Sequence, residues 1–239
     1  MPVPQPGHRS SDSTVALRLV AQLGGRFSTE AGIDVDAGAH DVERWFLAAT
    51  LFGARISAAV AVRTYRVLDD AGVCTLADAG RRTWDDLVVL LDRGGYARYD
   101  FRTARRLLDL SVAVTDRYPS GLAAFGPTCH DPRRLERALD ALPGWGPTTV
   151  TAFLRELRGV WPAARPHLDA KVGDAARHLQ LSRDQGPFVL GSLTELAESA
   201  GLDPRDLEAA LVRLSLAHRR TYGGCAGSGS CRLLHPTAP

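Results

Sequence analysis

Lysine is almost missing from this chain. Of its 29 basic residues only Lys171 is a lysine, and the rest are arginines. A coding bias toward arginine accounts for the excess as a whole. It leaves one side-chain amine able to act as a nucleophile, which a guanidinium cannot do. Long apolar runs are also missing: none approaches the roughly 20 residues that cross a bilayer. The opening MPVPQPGHRSSDS holds no apolar core of the signal-peptide type. Residues 1–12 are therefore expected to form a flexible tail, and residence in the cytoplasm of a bacterial-type cell is expected. Net charge is only +2, so overall charge supplies little attraction to nucleic acid. Cysteine is sparse, at Cys74, Cys129, Cys225 and Cys231, with only the last two close together. Free thiols are the expectation for an intracellular chain of this size. Neither strand-like alternation nor an internal repeat is found.

What is present is helical periodicity. Hydrophobic residues reach 45% over 239 residues, which excludes disorder throughout and allows one large domain or two small ones. Val42, Trp45, Phe46 and Ala49 recur at i, i+3, i+4, i+7. So do Trp84–Leu91, Leu135–Leu142, Val172–Leu179 and Leu207–Leu214. Asp131-Pro132 and Asp203-Pro204 read as N-caps with proline at the first helical position. Ser192 with Glu195, and Thr83 with Asp86, read as capping boxes. Gly72, Gly94 and Gly159 read as C-terminal stops. The pattern predicts an all-α fold of about ten helices. Residues 26–41 and 159–168 are expected as long connections, and a Gly- and Ser-rich tail is expected from Gly223.

One short stretch interrupts the helices. Leu142-Pro143-Gly144-Trp145-Gly146-Pro147 joins a helix ending near residue 142 to one starting at Pro147. Glycine permits positive φ and close backbone approach, and proline suits a first helical turn. Such a hinge is either an ordinary αα-hairpin or an anion site, where a helix N-terminus and loop amides hold a DNA phosphate. A monovalent cation on the hinge carbonyls could bridge to the same phosphate. Downstream, a Gly- and Pro-containing loop, GVWPAARPHL, runs into Asp169-Ala170-Lys171. Asp169 lies 23 residues after Gly146 (169 − 146). It reads either as a plain N-cap or as an acid placed to stabilise an oxocarbenium-like sugar, and both roles can hold together.

The L-P-G-x-G hairpin, the loop and the aspartate together resemble the helix-hairpin-helix (HhH-GPD) DNA glycosylase superfamily, which includes endonuclease III. The resemblance runs from about residue 40 to about 222 and takes in LFGARIS, LDRGGYARYDFRTARRLLDL and LAHRR. It implies two helical subdomains with a cleft between them. One would cover residues 37–160 and carry the hairpin; the other would join 13–36 to 161–222, with 223–239 as a tail. It implies DNA contact by Gly144, Trp145, Gly146, Thr148 and Thr149, and hydrolysis of an N-glycosidic bond with Asp169 acting on a nucleotide flipped from duplex DNA. Arg55 stands where relatives fill the gap left by the base, or is a surface arginine. Tyr96, Tyr99 and Trp45 are candidates for stacking on the base, or for packing. Relatives that also cut the strand carry a lysine where this chain has Thr148, so base removal alone is implied. Lys171 keeps a bifunctional glycosylase/lyase open, and a non-catalytic DNA-binding protein is the other alternative.

Many relatives end in C-x6-C-x2-C-x5-C, which holds an iron–sulfur cluster. Here only Cys225 and Cys231 remain, so no cluster and no other cofactor is expected. The pair reads as free thiols or, with His218 and His235, as a His2Cys2 zinc site. The expected partner is double-stranded DNA carrying a lesion, bound by a monomer, with no membrane involved.

Overall fold

A computed structural model describes residues 6–53, 56–181, 188–219 and 221–235. Among them are thirteen α-helices, two 3₁₀ turns and no strand, in agreement with an all-α fold. In chain order they are α1 (Pro6–Leu23), α2 (Phe27–Glu30), α3 (Ala39–Phe52), α4 (Ala58–Asp70), α5 (Leu76–Gly80), α6 (Trp84–Gly94) and α7 (Asp100–Arg117). Then come α8 (Leu122–Thr128), α9 (Pro132–Asp140), α10 (Pro147–Glu156), α11 (Ala170–His178), α12 (Leu190–Ala200) and α13 (Pro204–Ala217). The helices beyond the expected ten include α2, α5 and α8, of 4, 5 and 7 residues. Pieces so short cannot display a period of 3.6. No described helix is long and apolar enough to cross a membrane.

The caps follow the side chains. The carboxylates of Asp131 and Asp203 accept the N–H groups of Arg133 and Arg205. Thr83 and Asp86 cap each other reciprocally, as do Thr75 and Asp78. The Ser192–Glu195 box does not form. Helix α12 begins at Leu190, with the Leu193 N–H on the Val189 carbonyl, so Ser192 lies inside it. Gly72 ends α4 with φ 73° and Gly159 follows α10 with φ 80°. The stop of α6 is Gly95, not Gly94. At Gly94 a Cβ would lie 2.5 Å from Thr64 Cα, so that glycine serves the close approach of α6 to α4.

The chain divides into two compact units, Phe27–Pro166 and Met1–Arg26 with His167–Pro239. The boundaries differ from the expected 37–160 and 13–36 plus 161–222. Residues 27–36 join the first unit because the buried carboxylate of Glu156 accepts the N–H groups of Phe27 and Ser28 and the Ser28 hydroxyl. The core of that unit is aromatic. Phe46 stacks on Trp145 at 4.4 Å, and Phe153 meets Phe46, Trp145 and Trp161 edge-on. In the second unit, α1, α11, α12 and α13 enclose Leu19, Val172, Ala176, Leu193, Leu207 and Leu211.

Two terminal expectations are corrected. Residues 6–12 belong to helix α1 rather than to a flexible tail. The segment from Gly223 is not a loose tail either: Cys231 and Leu234 are buried in the second unit's core. Its glycines and serines supply turns, which composition alone reads as looseness.

Asp203 is tied to Arg205 by two carboxylate oxygens as well as by the cap. Burial raises its pKa, but these bonds outweigh burial and hold the carboxyl below the ordinary 3.8. Because the folded value is the lower one, this stabilisation is present above the unfolded pKa and lost as pH falls through the folded one. Asp203→Ala should destabilise the protein by about 1 kcal/mol in denaturant unfolding at neutral pH, and the gap from wild type should close as the pH is taken below 3.8.

Candidate functional site

The hairpin between α9 and α10 is built as a Pro-Gly turn. The Trp145 N–H donates to the Leu142 carbonyl at 3.0 Å, and Gly144 between them has φ 74°. Proline at the second position and glycine at the third are what a type II turn asks for. A Cβ on Gly144 would also run into the Arg106 side chain, whose Nη2 donates to the Thr50 carbonyl at 3.2 Å. Burial lowers the Arg106 pKa from its usual value. Sequence reasoning missed this arginine, because nothing among so many arginines marks the one that backs the hinge.

Gly146 is the N-cap of α10, extended at φ −149°, and offers no side-chain cap. A Cβ there would meet nothing within 4 Å. The protein's own packing therefore does not demand glycine at 146, and the uncapped first turn of a ten-residue helix opens onto free space. Thr148 is exposed beside it.

Two expected DNA contacts point the other way. Trp145 is 6% exposed, stacked on Phe46, with Nε1 donating to Thr50 Oγ1 at 3.1 Å. Thr149 is buried, and its Oγ1 would sit 2.7 Å from a Cβ on Gly53. Both side chains fasten the hairpin rather than face a ligand. Trp45 and Tyr96 likewise have no free face for an extruded base. Trp45 donates from Nε1 to the Phe153 carbonyl at 3.2 Å, Tyr96 donates its hydroxyl to the Leu51 carbonyl, and both are fully buried. Tyr99 remains half-buried, with the Arg98 guanidinium 5.8 Å from its ring centre. Arg55 lies outside the described residues.

In the second unit Asp169 is the N-cap of α11. Its Oδ1 accepts the Lys171 N–H at 2.9 Å and its Oδ2 accepts from Lys171 Nζ at 2.5 Å. The carboxylate is about a quarter exposed and the lysine less. The lone lysine of the chain is thus spent on the proposed acid.

A second constellation gathers where α11 and α13 end. His178 closes α11, His218 caps α13, and Cys225 and Cys231 return on the following segment. One donor atom from each lies within 4.8 Å of all the others. His218 Nε2 is 3.4 Å from Cys231 Sγ, and the two sulfurs are 3.6 Å apart. Burial pushes both imidazoles below 6.5, toward the neutral form that binds metals. The expectation of no cofactor is therefore not upheld: these four residues could bind a metal. The histidine expected from sequence, His235, is not among them; it is exposed, with Nε2 3.0 Å from the Gly229 carbonyl. His178 lies 40 positions before His218 (218 − 178), beyond the reach of spacing rules.

No family model and no curated protein matches this chain. The features available to a function are the hinge in the first unit and, in the second, the Asp169–Lys171 pair and the His/Cys cluster. One further feature of the first unit is structural. Glu43 borders a cavity of about 510 Å³ with His40 and Tyr118, and burial raises its carboxyl above 4.5, but its Oε1 is committed to the Ala123 N–H at 2.7 Å.

The two hinge glycines should respond oppositely to substitution. Gly144→Ala combines a positive φ with a clash and should destabilise by about 2 kcal/mol. Gly146→Ser supplies the missing cap and should leave stability unchanged or raise it by about a few tenths of a kcal/mol. Denaturant unfolding of both variants checks the contrast.

Proposed function

We propose that the protein is a DNA glycosylase that removes a damaged or mispaired base from duplex DNA and leaves the strand uncut. The observation that carries this reading is the hinge. A ten-residue helix begins at an uncapped glycine with open space before it, and the turn is fixed from behind by Trp145 and Arg106. First-turn amides and the positive end of the helix dipole suit a phosphate oxygen. Such a contact positions DNA without reading sequence.

Asp169 supplies the chemistry in this reading. Breaking an N-glycosidic bond builds positive charge on the deoxyribose, which a fixed carboxylate stabilises. The Lys171 N–H and Nζ each donate to one oxygen of Asp169, which holds the carboxylate in a fixed orientation. The same ion pair engages the chain's one lysine amine, in keeping with base removal without strand cleavage. With threonine at 148, neither position provides a free amine. A lesion-bearing duplex is the proposed partner, in keeping with the resemblance of the hairpin, loop and aspartate to the helix-hairpin-helix glycosylases.

A base-release assay over a panel of lesion-bearing duplexes tests the proposal. Release should occur, with strand breaks only after alkali. Asp169→Asn keeps a competent cap and should lower turnover by at least about 100-fold with little change in DNA affinity. Gly146→Ser should weaken binding at unaltered stability, because its hydroxyl competes for the amides. Salt-dependent binding with no release from any duplex would establish a non-catalytic binder instead. A borohydride-trapped adduct lost in Lys171→Ala would establish a lyase.

A further inference from the structure

We propose that His178, His218, Cys225 and Cys231 bind one structural zinc ion. The proposal does not depend on the DNA reading. Two imidazoles and two thiols in tetrahedral array are a zinc donor set. With Zn–S near 2.3 Å and Zn–N near 2.0 Å, tetrahedral edges come to roughly 3.8 Å between sulfurs and roughly 3.5 Å between nitrogen and sulfur. The observed separations are 3.6 Å for Cys225 to Cys231 and 3.4 Å for His218 to Cys231. Four protein donors fill the coordination shell, so no position is left for a substrate, as in structural zinc sites. An iron–sulfur cluster fits poorly. A cluster held by two histidines and two cysteines sets each pair on a separate iron and spreads them, whereas here all four donor atoms lie within 4.8 Å.

Two independent observations point to a ligand. His178 Nε2 is buried without a hydrogen-bond partner, a costly state that a bound cation removes. The backbone is also bent to bring the segments together. All four described non-glycine residues with positive φ, Gln180, Arg219, Tyr222 and Ser228, lie in the stretches that carry the donors. Gly227 has φ 72° and approaches the His178 carbonyl so closely that a Cβ would collide with it. The ion would thus pin the returning chain to the ends of α11 and α13.

Elemental analysis of the untagged protein, purified under reducing conditions, should find one zinc per chain. Zinc should fall to background in Cys225→Ser and His178→Ala and persist in His235→Ala. Replacement by cobalt(II) should give the visible bands and sulfur-to-metal charge transfer of a tetrahedral thiolate site. Chelation should lower the melting temperature and expose two further thiols to a thiol reagent. If the variants fail to fold, the zinc count and cobalt spectrum of the wild type decide. Wild type that holds no zinc and takes up neither zinc nor cobalt overturns the proposal. So does iron with acid-labile sulfide, a Cys225–Cys231 disulfide in the freshly purified protein, or loss of zinc in His235→Ala.

Discussion

Everything the hinge presents to solvent depends on where the Trp145 ring goes. The ring enters the first unit's core, stacks on Phe46 and donates to Thr50, which in turn donates to the Phe46 carbonyl. The Thr50 carbonyl is then taken by Arg106, the side chain that backs Gly144. A chain of polar bonds and aromatic contacts therefore runs from α3 to the turn, in a water-poor setting where each bond is strong. With its one large side chain turned inward, the hinge shows outward little but glycine, proline and main chain. That is the surface a phosphate can approach closely.

Long periodic stretches were legible because a buried helical face writes itself into sequence at a spacing of three and four. Val42–Ala49 and Leu207–Leu214 fall inside α3 and α13. Caps at Asp131 and Asp203 were legible because the same side chain makes the bond and marks the residue. Direction was not legible. Trp45, Trp145 and Tyr96 carry polar tips that suit either a wet site or a core with a carbonyl to meet, and each found an acceptor indoors. Distance was not legible either. Cys225 and Cys231 announced themselves by spacing, but His178 joins them only through the packing of α11 against α13. His235, nearer in sequence, hydrogen-bonds elsewhere.

The second unit concentrates its polar chemistry at the two ends of one helix. Asp169 opens α11 and pairs with Lys171; His178 closes it and faces His218 at 5.0 Å. Nine residues span the two, with Val172, Ala175 and Ala176 buried along one side. That rigid core-facing strip fixes the rotation of the helix, and so sets the direction of both end groups together.

The bare start of α10 has one more consequence, which is thermodynamic. Unsatisfied amides make the unliganded helix less secure at that end than a capped one. Any anion that settles there selectively favours the folded chain, by an amount that grows with the logarithm of its concentration over its dissociation constant. Occupancy and folding would then be coupled quantities at Gly146, and an anion that binds there would leave the protein sturdier than in plain buffer.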